Sequence, residues 1–282
     1  MPSVLRCGDR ELVLGTRTFV MGVVNVTPDS FSDGGRYLSA DAAIAQGLRL
    51  LDEGADLLDL GGESTRPGAE PVPVPVDEEL ARVLPVVQGL VSRGARCLSV
   101  DTRRAAVAKA CLDAGASWIN DVSALQDDPA MAPVAAKADA VVLMHRREMS
   151  AGESGDRVRY GDVLAEVHSF LAERVAAAVA AGVPRERILV DPGLGFGKSV
   201  ADNLTLLTNT ARLRGIAPVL VGPSRKRFLG ALTGIERAED RDAATHGAVA
   251  LASLGAADIV RVHDVKGAVA VLKVLEAARR RS

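Results

Sequence analysis

Aromatic residues are scarce in this sequence: Phe, Trp and Tyr together make up 3% of its 282 residues, although hydrophobic residues make up 48%. The core must therefore be built from aliphatic side chains, which favours helices packed on a sheet over a β-sandwich. A strong charge of either sign is also lacking, because 34 basic residues face 36 acidic ones. We therefore expect no binding to nucleic acid or to an anionic membrane, and any anionic ligand must be held by local charges.

Cysteine is nearly absent as well, with only Cys7, Cys97 and Cys111 and no CxxC pair. This spacing suggests neither a zinc site nor a disulfide framework. The N-terminus lacks a basic start followed by an apolar run, and no stretch reaches the roughly 18 apolar residues of a membrane-spanning helix. We therefore expect a soluble protein that stays in the cytoplasm.

What the sequence does contain is a regular alternation of short aliphatic runs and longer stretches with apolar residues at helical spacing. The runs predict strands at 18–25, 56–61, 96–101, 118–121, 140–145, 188–191, 218–221 and 259–263. The stretches predict helices at 40–53, 77–92, 104–114, 130–137, 164–181, 201–214, 242–254 and 265–281. This series predicts an α/β fold, a (β/α)8 TIM barrel, formed by residues 1–282 as a single domain. Residues 4–14, with a Gly-Asp turn, predict a short N-terminal β-hairpin over the barrel's bottom.

Acidic and amide groups follow several of the predicted strands. Asp101, Asn120 and Asp191 follow the third, fourth and sixth strands. An isolated Asp at such a position is often only the N-cap of the next helix. Three such groups at one mouth of a barrel are more than capping explains, and carboxylates pair well with adjacent N–H donors. We therefore predict a site for a planar ligand such as a 2-aminopyrimidinone ring.

Basic groups follow other strands of the same series. Arg66 follows the second strand, residues 225–227 follow the seventh, and Arg261 and His263 end the eighth. The strand-seven residues could form a solvated basic loop. Arg261 and His263, however, are two apart in an extended segment and share one face. Because the loops after strands seven and eight are the usual phosphate site of this barrel, we predict a phosphate or diphosphate ligand.

The Gly-rich segment 193–199 is not a nucleotide P-loop, because Pro192 stands where the GxxxxGK[ST] pattern requires glycine. We expect its glycines to let the backbone approach a planar ligand beside Phe196. His145, which closes a buried strand, is predicted to be a hydrogen-bonded structural residue. No His and acidic set has metal-ligand spacing, so a magnesium ion would be held mainly by ligand phosphates and by Asn25.

Eight motifs stand in order at the ends of the predicted strands: MGVVNVTPDSFSDGG, DLGGESTRPG, SVDT, NDVS, LMH, DPGLGFGK, GPSRKRF and RVHDV. With them the sequence closely resembles the dihydropteroate synthase family of pterin-binding barrels, over nearly the whole chain. The resemblance implies a sulfonamide-inhibited transferase. Its reaction would condense 6-hydroxymethyl-7,8-dihydropterin diphosphate with 4-aminobenzoate, in the presence of magnesium, to 7,8-dihydropteroate and diphosphate.

The resemblance also implies roles for individual residues. The pterin would be held by Asp101, Asn120, Asp191 and Lys226, with Arg261 stacked on the ring. The diphosphate and magnesium would meet Asn25, Arg66, Arg261 and His263. The aminobenzoate would meet Phe31, Thr65, Pro67, Phe196 and the turn formed by Ser224, Arg225, Lys226 and Arg227, and the loops 26–36 and 64–69 would close over the substrates. Our hypothesis for the mechanism is dissociative, with Asn25, Asp101, Asp191, Lys226 and Arg261 as the catalytic residues.

Three features depart from the family pattern. Pro223 stands where a small, flexible residue is usual, Arg227 stands where a Ser is frequent, and Ala124-Leu125 replaces a Gly-rich continuation. The first two concern the aminobenzoate side of the site.

Two other functions are compatible with parts of the pattern. A pterin-binding methyltransferase domain shares the barrel and the pterin carboxylates, but it should lack the diphosphate residues. A non-catalytic pterin-binding paralogue would usually have lost loop residues, yet TPDSFSDGG and ESTRPG are intact. Because barrels of this family commonly dimerise through their last helices, we also expect a homodimer with Leu251, Leu254, Val271 and Leu275 as apolar contacts.

Overall fold

The computed structural model describes residues 4–26, 36–63, 74–147 and 160–280. The strands are β1 (Val4–Cys7), β2 (Arg10–Val13), β3 (Phe19–Asn25), β4 (Leu57–Gly61), β5 (Leu98–Asp101), β6 (Trp118–Asp121), β7 (Ala140–Met144), β8 (Ile188–Asp191), β9 (Leu220–Val221) and β10 (Ile259–Val262). The helices are α1 (Arg36–Asp52), α2 (Val76–Ser92), α3 (Ala105–Asp113), α4 (Met131–Ala135), α5 (Val163–Ala180), α6 (Val200–Thr208), α7 (Thr210–Leu213), α8 (Arg227–Thr233), α9 (Asp242–Leu254) and α10 (Val265–Arg279). Among the described helices, none has the length and apolarity needed to cross a lipid bilayer.

Eight parallel strands form the barrel in the order β8-β7-β6-β5-β4-β3-β10-β9. The open side of this order is closed by a parallel bridge between Val190 and Val219, where the Val190 N–H donates to the Pro218 carbonyl at 2.9 Å. Aliphatic side chains of the strands and the surrounding helices form one continuous buried cluster. The predicted barrel is confirmed, and all strands present their C-terminal ends at the same mouth.

The hairpin of β1 and β2 covers the opposite end of the barrel, as predicted. The two strands pair antiparallel, with Leu5 opposite Leu12. These two leucines belong to a second buried cluster that includes Phe19 and Trp118, which lie at the starts of barrel strands. The Trp118 indole N–H donates to the Arg6 carbonyl at 2.7 Å. The bottom of the barrel is therefore sealed by apolar packing.

The expectation that the cysteines form no disulfide is wrong. Cys7, at the end of β1, is bonded to Cys97, which directly precedes β5. The two residues are 90 positions apart and meet only because the hairpin docks on the barrel, which cysteine spacing cannot reveal. Cys111 is buried and unpaired within the described part of the chain.

One predicted helix, 201–214, is interrupted at Asn209, between α6 and α7. The side chains of Thr208 and Asn209 bond to carbonyl groups one turn earlier, at 2.9 Å for both Leu204 and Thr205. Such side-chain bonds compete with the regular helical pattern. The predicted helix 130–137 is also shorter, spanning Met131–Ala135.

Candidate active site

A cavity of about 450 Å³ lies at the C-terminal mouth of the barrel. It is lined by all eleven of the predicted site residues that the structure describes: Asn25, Asp101, Asn120, Asp191, Phe196, Ser224, Arg225, Lys226, Arg227, Arg261 and His263. Four further predicted residues, Phe31, Thr65, Arg66 and Pro67, lie outside the described residues, as do most of the loops 26–36 and 64–69. The acidic and amide groups and the basic groups therefore face one shared opening, as the sequence predicts.

Arg261 in β10 connects the basic groups of the cavity with its acidic and amide groups. Its Nε donates to Asp59 Oδ2 at 2.6 Å, and its Nη2 donates to Asp101 Oδ2 at 3.0 Å. The Asn120 amide also donates to Asp59 Oδ2, at 3.0 Å. Sequence reasoning did not single out Asp59, although a charged residue inside the buried run LLDLG of β4 is an unusual feature.

Burial shifts the pKa values of Asp101, Asp191, Lys226 and His263, which line the cavity. Burial raises the pKa of Asp101 to about 7; the Arg261 charge opposes this shift, and the Asp59 charge adds to it. Burial also raises the pKa of Asp191, opposed by the bond from the Gly193 N–H, which is 2.7 Å long. Groups with pKa values moved toward neutrality in a cleft are typical of functional sites.

Lys226 precedes α8 and faces both Phe196 and the acidic groups. Its ammonium lies 4.4 Å from the centre of the Phe196 ring. Burial lowers its pKa to about 8, and the Asp191 charge opposes that shift. Lys226 thus remains able to donate to a ligand while its proton is held less tightly than usual.

His263 is held by Ser224. The Ser224 hydroxyl lies 2.8 Å from His263 Nδ1, and it accepts a bond of 3.1 Å from the His263 backbone N–H. Burial, with the Arg225 and Arg261 charges, lowers the pKa of His263 to about 3, so the ring is neutral. Although the resemblance assigned Ser224 to the aminobenzoate wall, its hydroxyl is engaged by His263.

Arg225, in the centre of the basic segment, has a structural partner. Its guanidinium makes two bonds of 2.7 Å to Asp242 in α9, and its N–H donates to Thr245 Oγ1 at 2.9 Å. Its φ of 56° is in the left-handed region. The Pro223 carbonyl closes this turn, because it accepts from the Lys226 N–H at 3.4 Å. Lys226 and Arg227 therefore line the cavity, while the bonds from Arg225 to Asp242 hold the turn in place.

Two glycines of the segment 193–199 lie where a larger residue would collide with the neighbouring loop. A Cβ at Gly193 would lie 1.9 Å from the His145 carbonyl oxygen, and one at Gly197 would lie 2.7 Å from that of Arg147. Both glycines also have positive φ. Gly193 and Gly197 therefore allow close contact with the loop after β7. Gly193 and Gly195 also line the cavity, so the expected close approach to a planar ligand stays a prediction.

Lys198 organises the same segment, and sequence reasoning missed it. Its side chain is buried, and its ammonium lies 2.9 Å from His145 Nδ1, 2.9 Å from the Gly193 carbonyl and 3.0 Å from the Phe196 carbonyl. Burial lowers the pKa of Lys198 to about 7 and that of His145 to about 3. His145 is thus a hydrogen-bonded structural residue, as predicted.

The donor set near Asn25 fits a weakly held magnesium ion. Within the described ranges, no group of three or more His, Cys, Asp or Glu side chains is placed to bind a metal. Asn25 lines the cavity and has its Nδ2 3.5 Å from His263 Nε2. One amide oxygen from the protein is compatible with an ion whose other ligands are phosphate oxygens and water.

Known proteins share this fold and sequence. The profile of the family described as pterin binding enzyme matches residues 21–263. The dihydropteroate synthase of Mycobacterium leprae is 49% identical over 265 residues, which cover 92% of either chain.

Two solved structures of the Xanthomonas albilineans dihydropteroate synthase are similar throughout. The one with 4-aminobenzoic acid has a TM-score of 0.90 at 50% identity and covers 99% of both chains. The one with 7,8-dihydropteroate has a TM-score of 0.86 at 49% identity and covers 98% of both chains. The chain therefore belongs to the pterin-binding enzyme family, among the dihydropteroate synthases.

Proposed function

We propose that this chain condenses 6-hydroxymethyl-7,8-dihydropterin diphosphate with 4-aminobenzoate to give 7,8-dihydropteroate and diphosphate. The observation that carries the proposal is the meeting of two chemically different sets in one cavity. Asp101, Asn120 and Asp191 suit the N–H-rich edge of a pterin, and Arg261 with His263 suits a diphosphate. A methyltransferase domain would have no use for the second set.

Binding of the pterin follows from the polar groups at the strand ends. The carboxylates of Asp101 and Asp191 and the amide oxygen of Asn120 can accept ring N–H groups, while the Lys226 ammonium can donate to a ring acceptor. Because these groups already surround the cavity, little reorganisation is needed when the pterin binds.

The proposed reaction breaks the bond between the pterin methylene carbon and the diphosphate oxygen, whose electron pair leaves with the diphosphate. Arg261 and the neutral His263 would bind the departing group, and the negative charges of Asp101 and Asp191 would stabilise the cationic methylene. The aminobenzoate nitrogen then bonds to that carbon with its lone pair, and one of its protons passes to the released diphosphate. Magnesium held by Asn25 and phosphate oxygens would offset charge on the diphosphate.

A direct assay tests this function. The purified chain is mixed with the pterin diphosphate, 4-aminobenzoate and magnesium, and dihydropteroate and diphosphate are measured. We expect equal amounts of the two products. Pterin binding with no product would indicate a binding paralogue, and the absence of both binding and product would contradict the proposal.

We also propose that the chain forms a homodimer through its last two helices. On α9, Leu251 and Leu254 are 41% and 62% exposed, and on α10, Val274 is 70% exposed; sequence reasoning did not name Val274. Val271 and Leu275 are only partly exposed. Sedimentation should give a dimer that Leu254→Glu with Val274→Glu converts to monomer. Leu232→Glu, on the exposed part of α8, is the matched control, and a monomeric wild type would contradict the proposal.

We further propose that residues 1–282 act as one domain in the cytoplasm. A single calorimetric unfolding transition is expected for one domain, and two separated transitions would contradict it. The cellular location is tested by fractionation. The chain should be recovered with cytoplasmic marker proteins, and recovery with periplasmic or extracellular markers would contradict the proposed location.

A further inference from the structure

Asp59 is a buried carboxylate inside the barrel, below the cavity. Its side chain is fully buried in β4, and it is absent from the residues that line the cavity in the described part of the chain. One oxygen, Oδ2, accepts from both Asn120 Nδ2 at 3.0 Å and Arg261 Nε at 2.6 Å. A single atom therefore holds two residues that do line the cavity.

The contact with Asp59 determines which way the Asn120 amide faces. Asp59 Oδ2 accepts from the Arg261 Nε and so serves as an acceptor at this point, and the Asn120 amide turns its NH₂ group toward it. The amide oxygen, Oδ1, is then left over, and it is buried with no hydrogen-bond partner among the described residues. Because a buried acceptor without a partner is unfavourable, this oxygen is suited to receive an N–H group from a ligand.

The contact also holds the Arg261 guanidinium. Its Nε is bonded to Asp59, and its Nη2 is bonded to Asp101 at 3.0 Å. Two contacts from different strands, β4 and β5, fix both the position and the plane of the group.

We propose that Asp59 is a positioning residue for pterin recognition. Through one oxygen, it orients the Asn120 amide so that Oδ1 accepts from the pterin, and it holds the Arg261 guanidinium in place, without touching the substrate itself. This inference rests on the proposed function, because it takes Asn120 and Arg261 as residues that bind the pterin diphosphate.

Calorimetric titration with 6-hydroxymethyl-7,8-dihydropterin diphosphate tests the proposal in three variants. Asp59→Leu removes the acceptor and should weaken binding by at least about tenfold. Asp59→Asn keeps an oxygen that can accept both bonds, so binding should stay within about threefold of wild type. Ser99→Ala is the matched control, because Ser99 is buried opposite Asp59 on β5, and it should bind like wild type.

A double-mutant cycle separates positioning from a general loss of structure. Because Asp59 acts partly through Asn120, Asp59→Leu should weaken binding less in an Asn120→Ala background than in wild type. Full additivity, or wild-type affinity in a folded Asp59→Leu protein, would overturn the inference. A wild-type protein that binds no pterin at all would instead contradict the proposed function.

A crystal structure of the wild-type protein with the pterin tests the proposal without any variant, so loss of folding cannot affect the result. We expect Asn120 Nδ2 to stay on Asp59, Asn120 Oδ1 to accept from the pterin, and Asp59 to make no contact with the ligand. A pterin bonded directly to Asp59, or an Asn120 amide turned with its NH₂ toward the pterin, would refute the positioning role.

Discussion

The carboxylates at the two ends of the barrel differ in how completely the protein satisfies their hydrogen bonds. At the bottom, acidic side chains that precede strands are bonded to backbone N–H groups: Asp56 to Val20 at 2.9 Å, and Asp258 to Val219 at 3.0 Å. Each also holds an arginine, Arg17 and Arg214 respectively. These groups complete their hydrogen bonds within the protein, and they tie neighbouring strands together.

At the top, the acceptors are left partly unsatisfied. Asp59 Oδ1 and Asn120 Oδ1 are buried and have no partner in the part of the chain that the structure describes. Burial raises the pKa values of Asp101 and Asp191 at this end. The comparison indicates that polar groups at the bottom of the barrel contribute stability. At the mouth, Asn120, Asp101 and Asp191 are available to a ligand and Asp59 positions Asn120, at some loss of stability.

Asp101→Asn, at the C-terminal mouth of the barrel, should show the largest effect of the difference between the two ends. The variant removes a charge that we expect to stabilise the cationic transition state, so kcat/KM should fall by about 10²–10³. Because Asp101 is buried with a raised pKa, neutralising it should leave the melting temperature equal or higher. Steady-state assays and thermal melts measure the two effects. A variant that keeps wild-type turnover would remove Asp101 from the mechanism.

At the bottom, Asp258→Ala should show the reverse pattern. Loss of this carboxylate leaves the buried Val219 N–H without its partner and should lower the free energy of unfolding by about 2–3 kcal/mol. At temperatures below its transition, the variant should keep the wild-type kcat. Urea unfolding and activity assays on the same sample measure both properties. A loss of kcat with unchanged stability would break the proposed division between the two ends.

The raised pKa of Asp101 and the lowered pKa of Lys226, both at the C-terminal mouth of the barrel, predict a narrow pH optimum for catalysis. Asp101, with a pKa of about 7, is charged only above that pH, and Lys226, with a pKa of about 8, is charged only below it. If both charges are needed, kcat/KM should be greatest between these values and fall about tenfold per pH unit on either side. Lys226→Arg should move the alkaline limb upward and leave the acid limb unchanged. A flat profile from pH 6 to 9 would contradict these assignments.

The barrel and the position of its mouth can be predicted from the sequence, because the spacing of apolar residues indicates the strands and helices and the polar motifs follow the strands. The missed features depend on contacts between distant segments. The Cys7–Cys97 bond forms only when the hairpin docks on the barrel. Lys198 gains its role from the His145 ring on a neighbouring strand. Asp59 alone carried a local signal, because a carboxylate in an aliphatic strand needs a partner.

The smallest expected effect concerns a loop next to the cavity. Ala124 and Leu125 have φ values of 53° and 62°, a conformation that side chains with a Cβ disfavour. The loop is held in this shape because Asp121 accepts from the Leu125 N–H at 2.9 Å and Arg174 donates to the Ala124 carbonyl at 3.0 Å. Ala124→Gly should therefore raise the free energy of unfolding by about 1 kcal/mol.

Ala110→Gly, in the middle of α3, is the matched control for this change, because it alters the same atoms in a helical backbone. It should lower the free energy of unfolding by about 1 kcal/mol. Urea unfolding of both variants measures the two signs. If Ala124→Gly destabilises the protein as much as Ala110→Gly does, the left-handed backbone at Ala124 carries no strain. Opposite signs with unchanged kcat would mean that the departure from glycine lowers stability without altering the site.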